Sequence, residues 1–389
     1  MLIHSKRIII PEGCVDAVIK IENGKIVDFL DADSVNKVDV ELEDNIVIPG
    51  IIDTHNHGTM GYSLSGSNKD IEKDVRGYLK GLASQGVTAC LPTASVEYFS
   101  TIADVMNTEI DGAIPLGIHS EGPYLNRVGE KGIDEGYPDI EQEYLKKMVD
   151  LAKGNLKLVA IAPEIPGAKK AIEYFTSQDI RCAFAHSNMM YEEALESFKW
   201  GITVTTHTAN VMTGIHHRNM GGLGACLLDD DVYNELICDG LHVSNNMIEL
   251  MFRVKNNYLD KFMMVSDSTT ASGAPIGKYS MFGYDVTIDE EGFCLTDTGR
   301  LMGSTIPVIG GIKNLYNNLG LELWDIVKMS SRNPAKVYGA KSKGTLEVGK
   351  DADFVVIDDN FKVLKTYREG RCIYDFKKDK DLFNPNFLK

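Results

Sequence analysis

Histidine and carboxylate side chains recur in this chain just after runs of apolar residues. The first case is PGIIDTHNHG at residues 49–58, where Asp53 is followed by His55 and His57. A buried strand does not need such a pair, but neutral imidazoles are common ligands of zinc, iron and related divalent ions. Because side chains alternate along a strand, His55 and His57 share one face and can bind one metal ion together.

Further residues of this kind follow later apolar runs, namely His119, Glu121, His186, His207, Asn210 and Asp267. Any one of them alone is as easily a hydrogen-bonded structural residue or a helix cap. Their joint occurrence predicts a metal site with the ligands His55, His57, Glu121, His186, His207 and Asp267. Asp267 either completes this set or serves as the general base. The set exceeds what one tetrahedral ion needs, so we expect two ions that share Glu121 and hold a water between them.

The segments between these residues predict how such distant positions meet. Apolar and β-branched runs alternate with amphipathic helical stretches, which favours a (β/α)8 barrel. The strand runs are NIVIPGIID, VTACLPT, LGIHSEGP, LVAIAPE, CAFAHS, TVTTHTAN, ELICDG and FMMVSDS. In such a barrel the C-terminal strand ends surround one mouth, and active sites lie there.

The two ends of the chain differ from this middle part. They consist of short β-type runs and turns, with Asn23-Gly24 as a hairpin signal. We therefore expect residues 1–48 and 340–389 to form one small β domain beside a barrel of residues 49–339.

Composition limits the partners and the compartment. The chain has 389 residues and a formal net charge of −16, which disfavours nucleic acid or an anionic membrane as partner because both need basic surfaces. A small anionic substrate needs only one or two local cations. The seven cysteines include no C-x-x-C pair, which is typical of free thiols in a reducing cytosol. The first apolar run is too short for a signal peptide, so we expect a cytoplasmic protein.

Several segments together resemble one family. In chain order they are PGIIDTHNHG, GIHSEGPYLN, AHSN, THTANVMTGIHHRN, DGLHVS, VSDSTTASG and LMGST. They are similar to the amidohydrolase-superfamily enzymes that deacetylate N-acetylglucosamine-6-phosphate. The segment SRNPAKVYGAKSKGTLEVGKDADFVVID also resembles the C-terminal part shared across that superfamily. The resemblance extends over nearly the whole chain.

The resemblance implies the barrel with a small β-sandwich formed by both chain ends, and one or two divalent ions, zinc or iron. Glu121, His186 and His207 would hold the principal ion. His55 and His57 would hold a second ion, since some members of the family have this pair and others lack it.

The resemblance also implies roles towards the substrate. Asp267 would be the general acid and base, and Asn210 and the backbone near Val211 would contact the sugar phosphate. His242 and Arg218 would contact its phosphate, with Arg218 supplied by the neighbouring subunit of a homodimer. An arginine suits this role because its guanidinium donates two parallel hydrogen bonds. From the residues alone, Arg218 is equally well a solvated surface arginine.

One position departs from the family pattern. After EGPYLN the deacetylases usually have lysine, glycine, one small residue and a histidine that polarises the substrate carbonyl, whereas EKGIDEGYP has Asp134 there. An ionised carboxylate cannot donate a hydrogen bond, but it accepts one from a sugar hydroxyl or an amide N–H. Unless the loop aligns differently, we expect Asp134 to influence substrate choice and to allow a relative such as the galactosamine epimer.

The predicted function is therefore metal-dependent hydrolysis of N-acetylglucosamine-6-phosphate to glucosamine-6-phosphate and acetate, with N-acetylgalactosamine-6-phosphate as the alternative substrate. An amidohydrolase acting on another N-acyl amine or a cyclic amide would share the metal ligands. Ring-amide members usually have a metal-bridging lysine on the fourth strand, where this chain offers Glu164. A catalytically inactive sugar-phosphate sensor should have lost Asp267 or a metal ligand, and none is missing.

Overall fold

A succession of parallel strands forms the centre of the fold in the computed structural model, which describes residues 1–66, 70–126, 137–281, 284–299 and 301–388. These strands are Ile51–Asn56, Val87–Pro92, Ile118–Glu121, Leu156–Ile161, Arg181–Phe184, Ile202–Thr205, Tyr233–Ile237 and Phe262–Val265. Each overlaps one of the apolar runs predicted to be a strand. The first two are buried at every position, as expected for parallel strands covered on both faces.

The parallel strands pair in chain order within two sheets. One sheet contains the first two strands and the short strand Ile114–Pro115, and the other contains the remaining six. Isolated parallel bridges join Thr93 to His119 and Asn56 to Ser268. These bridges bring the edge strands of the two sheets together on both sides, so the C-terminal ends of the parallel strands lie on one rim.

Helices follow most of the strands and cover the sheets. They are Ile71–Ser84, Val96–Val105, Gln142–Leu151, Ala168–Ser177, Tyr191–Phe198, Gly221–Leu228, Asn245–Val254, Tyr258–Lys261, Val308–Leu319, Leu323–Val327 and Asn333–Val337, with 3-10 turns at Ala32–Ser34 and Pro385–Leu388 and a π-helical turn at Lys328–Arg332. The first helix begins after Asp70, whose carboxylate accepts a hydrogen bond from the Lys73 backbone N–H. Within the described ranges, no helix combines the length and apolar character needed to cross a bilayer.

Both ends of the chain contribute to another sheet. Its strands are Leu2–Ile10, Gly13–Glu22, Lys25–Leu30, Val40–Glu41, Ile46–Pro49, Phe354–Ile357, Val363–Arg368 and Arg371–Asp375. Ile46–Pro49 joins the two chain ends, because it pairs in parallel with Leu2–Ile10 and antiparallel with Phe354–Ile357. The predicted hairpin is confirmed, since Asn23 and Gly24 have φ of 50° and 78° between two antiparallel strands.

Two small antiparallel sheets were not predicted. Gly58–Thr59 pairs with Tyr62–Ser63 directly after His57, and Gly277–Met281, Tyr284–Ile288 and Cys294–Thr296 form a three-stranded sheet after the last parallel strand. Both follow segments that hold predicted metal ligands. The prediction of free thiols is confirmed for all seven cysteines.

Candidate metal centre and active site

Six side chains from five strand ends meet at the rim where the parallel strands finish. They fall into two groups, and within each group one ligand atom per residue lies within 4.8 Å of the others. The first group is His55, His57 and Asp267, and the second is Glu121, His186 and His207. The structure thus brings together all six residues that the sequence singled out as metal ligands.

The carboxylate of Glu121 connects the two groups. Its Oε1 lies 3.0 Å from His186 Nε2 and 2.9 Å from His207 Nε2. Its Oε2 lies 2.9 Å from His57 Nε2 and 3.5 Å from His55 Nε2. A carboxylate whose two oxygens face separate imidazole pairs is placed to bridge two cations.

The nitrogen and oxygen atoms of the two groups are better arranged to bind divalent ions than to hydrogen-bond one another. His55 Nε2 lies 3.3 Å from His57 Nε2, and His186 Nε2 lies 3.1 Å from His207 Nε2. A neutral imidazole carries one N–H, so inward-facing nitrogens in such pairs cannot all find donors among themselves. Neutral imidazole and carboxylate are the donor set that zinc and iron take in proteins. The residues present therefore fit an ion at each group.

Three ligand candidates share an uncommon backbone conformation. His186, His207 and Asp267 have φ of 43°, 28° and 47°, in a region that residues other than glycine rarely adopt. The conformation of Asp267 is fixed on both sides, because its N–H donates to His55 O at 2.9 Å and its carbonyl accepts from Ser304 N at 3.1 Å. Backbone strain of this kind persists only where the surrounding structure enforces it, and it clusters at functional sites.

The clustered charges change the pKa values of the group. Burial acts to raise the pKa of Glu121, but the charge of His55 and hydrogen bonds from further histidines hold it well below its usual value. Burial also acts to raise the pKa of Asp267, yet His55 and His57 lower it to about 2. Burial acts to lower the pKa of His57, but Asp267 and Glu121 raise it to about 9. Both carboxylates are therefore ionised at neutral pH.

Buried carboxylates behind the ligands hold the rim together. Asp53, which is 1% exposed, accepts hydrogen bonds from the backbone and hydroxyl of Ser266 at 3.2 and 2.6 Å. This contact ties the first parallel strand to the last, next to His55 and Asp267. Burial raises the pKa of Asp53 to about 6.

Glu164 has a comparable role at the fourth strand, where the sequence indicated only that a lysine is absent. It accepts hydrogen bonds from Ser187 Oγ at 2.7 Å and Asn126 Nδ2 at 3.0 Å. Ser187 directly follows His186, so Glu164 fixes the segment that carries this ligand.

A further buried carboxylate, Glu235, contacts His55 and was missed by sequence analysis. Its position in the middle of the apolar strand Tyr233–Ile237 was a usable signal.

His242 is held by a carboxylate at the rim. Asp239 Oδ2 lies 2.7 Å from His242 Nδ1, and Asp239 Oδ1 accepts hydrogen bonds from the backbone N–H groups of Leu241 and His242. Burial acts to lower the pKa of His242, but Asp239 outweighs it and raises the pKa. His242 Nδ1 donates to Asp239, and in the protonated ring that the raised pKa favours, Nε2 also carries a proton that it can donate to a ligand.

The remaining predicted substrate contacts are less closely tied to the cluster. Asn210 Nδ2 donates to His207 O at 3.2 Å, and Val211 has a φ of 49°. Arg218 is exposed beside His216, at a turn closed by pairing of residues 216 and 219. In the described part of the chain, no hydrogen bond or ion pair joins Arg218 to the ligand candidates. Asp134 lies outside the described residues.

A cavity of about 210 Å³ opens beside the cluster. Its lining includes His57 and Glu121 together with Thr93, Ser120 and Tyr144. The ligand candidates therefore border a space that a small molecule can enter.

Comparison with known proteins defines the class. The model of the amidohydrolase family matches residues 46–373, and the chain belongs to that family. A curated N-acetylglucosamine-6-phosphate deacetylase of Vibrio furnissii is 31% identical over 369 residues, covering 92% of this chain and 91% of that protein. An N-acetylgalactosamine-6-phosphate deacetylase of Escherichia coli O157:H7 is 30% identical over 382 residues, covering 95% and 98%.

Solved structures agree with this assignment. The crystal structure of N-acetylglucosamine-6-phosphate deacetylase from Pasteurella multocida matches with a TM-score of 0.85 and 28% identity, covering 96% of this chain and 99% of that one. The corresponding enzyme of Thermotoga maritima matches with a TM-score of 0.80 and 28% identity, covering 96% and 100%. The resemblance inferred from the sequence is thereby confirmed, and the chain is a hydrolytic enzyme with an α/β fold of the barrel type.

Proposed function

We propose that this enzyme hydrolyses the acetamide of N-acetylglucosamine-6-phosphate to glucosamine-6-phosphate and acetate. The observation that carries the proposal is the bridging position of Glu121, with one oxygen 2.9 Å from His207 Nε2, the other 2.9 Å from His57 Nε2 and Asp267 in the same cluster. Deacetylases of this substrate align with over nine-tenths of the chain, at 92% for the Vibrio furnissii enzyme.

The proposed metal centre uses both groups of ligands. Glu121, His186 and His207 would hold one zinc or iron ion, and His55 and His57 would hold a second ion together with Asp267. When bound, a divalent ion at this centre supplies Lewis-acid polarisation of a carbonyl oxygen and makes water more acidic.

Asp267 moves the proton in the proposed reaction. Its carboxylate is ionised at neutral pH, so an oxygen is available to accept a proton. Asp267 takes a proton from water as the water oxygen adds to the acetamide carbon, and donates it to the amine nitrogen as the C–N bond breaks. Acetate and the free amino sugar result, and Asp267 is again ionised.

Residues around the cluster bind the sugar phosphate in this proposal. Asn210 and the backbone at Val211 contact the sugar, and Asp134 accepts hydrogen bonds from its polar groups. The protonated His242 ring donates from Nε2 to the phosphate while its Nδ1 donates to Asp239. Arg218 is exposed in the single chain and contacts the phosphate in the neighbouring subunit of a homodimer.

We extend the proposal to the domain architecture, the cellular location and the partners of the enzyme. Residues 49–339 form a (β/α)8 barrel, and residues 1–48 and 340–389 form a small β-sandwich domain. The bridges of Asn56 with Ser268 and of Thr93 with His119 support continuity between the two parallel sheets. The free cysteines fit a cytoplasmic protein, and the net charge of −16 fits an enzyme without nucleic-acid or membrane partners.

N-acetylgalactosamine-6-phosphate is the second candidate substrate. It is favoured by the Escherichia coli relative named for that activity, which aligns over 95% of this chain, and by Asp134 in place of the family histidine.

A panel of N-acetyl sugars with and without 6-phosphate, assayed for acetate release by metal-replete protein, tests the proposal. We expect fastest release from N-acetylglucosamine-6-phosphate and little from unphosphorylated sugars. Faster release from the galactosamine epimer would select the second candidate. Acetate release from none of the sugar phosphates would contradict both.

A further inference from the structure

We propose that Glu235 is a positioning residue for the metal centre, and that it sets the affinity of one of the two metal positions. By fixing the protonation and orientation of His55, Glu235 supports the position formed by His55, His57 and Asp267. This inference rests on the metal centre of the proposed function and adds a residue that does not itself touch metal or substrate.

Glu235 lies behind the cluster, inside the fold. It belongs to the strand Tyr233–Ile237 and is 0% exposed. Its Oε2 lies 3.3 Å from His55 Nδ1, on the side of the ring away from the other ligands. Its Oε1 accepts a hydrogen bond from Thr54 Oγ1 at 3.0 Å. Both carboxylate oxygens are thus directed at the first parallel strand.

The burial of Glu235 needs a partner, because a buried carboxylate without one is strongly destabilising. In the described ranges no lysine or arginine forms an ion pair with Glu235. The ring that contacts its carboxylate is that of His55, with Nδ1 3.3 Å from Oε2. An acceptor at Nδ1 keeps the His55 proton on that nitrogen. The Nε2 lone pair then faces Glu121 and Asp267, which lie 3.5 and 3.4 Å from it.

A carboxylate behind a histidine ligand fixes the ring and makes the ligating nitrogen more basic, and its loss typically lowers metal affinity 10- to 100-fold. Packing adds to this restraint on His55. The His119 ring meets the His55 ring edge-on, with centroids 4.6 Å apart and planes at 86°. Glu235 restrains the His55 ring through a polar contact, and His119 restrains it through packing.

The other metal position lacks this support in the described part of the chain. The buried Nδ1 of His207 has no hydrogen-bond partner there. The two positions therefore differ in what stands behind their histidines. Loss of the Glu235 carboxylate should weaken the His55–His57–Asp267 position and spare that of Glu121, His186 and His207.

Glu235→Gln is the most direct variant, because it keeps the shape of the side chain. Its amide NH2 can face His55 Nδ1, which moves the imidazole proton to Nε2 and removes the lone pair that binds metal. We expect cobalt titration of metal-free protein to show two binding steps in the wild type. In Glu235→Gln the step that includes His55 should weaken about 10- to 100-fold, and the other should be unchanged.

Two control variants separate positioning from general stability. Thr54→Val removes the other hydrogen bond to Glu235 but leaves the carboxylate on His55, so both binding steps should remain. In protein already carrying His55→Gln, adding Glu235→Gln should change cobalt binding no further. Equal weakening of both steps by Glu235→Gln, or none of either, would overturn the inference, as would a wild type that binds a single ion.

A measurement on the wild type guards against a variant that fails to fold. In zinc-loaded protein labelled with 15N in the histidine rings, long-range 1H–15N spectra should show His55 with its proton on Nδ1. A proton on Nε2 would overturn the inference without any substitution. The outcome is also independent of the substrate: protein inactive on the whole sugar panel would contradict the proposed deacetylation and leave the metal-binding result standing.

Discussion

Glu121 Oε2 lies 2.9 Å from His57 Nε2, and this contact joins the first and third parallel strands at the rim. The other oxygen of Glu121 faces a separate pair of histidines. One carboxylate therefore links the two groups of ligand candidates.

Replacing Glu121 by glutamine should remove that link. The amide has one oxygen and no negative charge, so it cannot bridge two cations. We expect elemental analysis to show loss of at least the ion held with His186 and His207, and acetate release to fall on the order of 100-fold or more. Exposed Glu97→Gln is a matched control near the same cavity and should retain its ions. Full metal content in Glu121→Gln would show that Glu121 is not a ligand.

Asp267→Asn should abolish proton transfer without unfolding the protein. Asparagine cannot accept the proton of the attacking water, so kcat should fall on the order of 100-fold or more while the fold is kept. Steady-state kinetics and far-UV circular dichroism measure the two effects. Asp285→Asn, at an exposed position of the strand Tyr284–Ile288, should be indistinguishable from the wild type. Near-normal turnover in Asp267→Asn would remove Asp267 from the mechanism.

The metal-free protein should lose stability as the pH rises. The folded-state pKa of His57 is raised to about 9 from 6.5, so its contribution is fully present below pH 6.5 and lost as the pH passes through 9. Thermal unfolding of chelated protein should therefore give a lower Tm at pH 9.5 than at pH 6.5, by more than in His57→Asn. Equal changes in the two proteins would show that His57 is not protonated in the folded state.

Asp267 should act in the opposite pH range. Its folded-state pKa is lowered to about 2 from 3.8, so its stabilising contribution is present above pH 3.8 and lost as the pH falls through 2. Asp267→Asn should thus reduce the dependence of the Tm on pH in acid. Because Asp267 helps to raise the pKa of His57, the alkaline dependence should become smaller as well.

Arg218→Ala should raise KM for a phosphorylated substrate. Loss of a charge-assisted hydrogen bond costs about 1.5–3 kcal/mol, which corresponds to roughly tenfold or more. The KM for the matching unphosphorylated sugar should not change. If KM is unaffected for both, Arg218 does not bind the phosphate.

Mixed oligomers test whether Arg218 crosses a subunit boundary. Arg218→Ala and Asp267→Asn subunits are each impaired, but a mixed dimer contains one site with an intact Asp267 and an arginine from its partner. Dissociating and reassembling the two variants together should therefore restore activity above that of either alone. An absence of recovery in dimers shown to be mixed would place Arg218 in its own subunit or outside the site.

Asp134→His should change substrate choice. Histidine donates a hydrogen bond that an ionised aspartate cannot, so the variant should favour N-acetylglucosamine-6-phosphate over its galactosamine epimer more than the parent does. The ratio of kcat/KM for the two substrates measures this. The same ratio and the same rates in both proteins would show that Asp134 does not face the ligand.

The clustering of the candidate ligands could be predicted from the sequence because their positions are marked locally. His55, Glu121, His186, His207 and Asp267 each carry a donor side chain and each follow an apolar run, and parallel strands bring such positions to one rim. The hairpin at residues 23–24 was equally local, since Asn-Gly alone favours the required positive φ.

Other features depend on which strands become neighbours, and the sequence did not disclose them. The pairing of Glu235 with His55 requires two strands 180 residues apart in the chain to face each other inside the fold. The positive φ of His186 and His207, 43° and 28°, is rare for residues other than glycine, so residue type did not indicate it. The sheet of Gly277–Met281, Tyr284–Ile288 and Cys294–Thr296 lacks the long apolar run that marked the parallel strands.

The central claim is metal-dependent deacetylation of a sugar phosphate, and it is tested most directly by acetate release from N-acetylglucosamine-6-phosphate before chelation, after chelation and after zinc or iron is returned. We predict rapid release, loss of nearly all activity and then recovery, with metal content at each stage following the rate. Release that continues unchanged in protein shown to be free of metal, or no release from fully loaded protein, would contradict the claim.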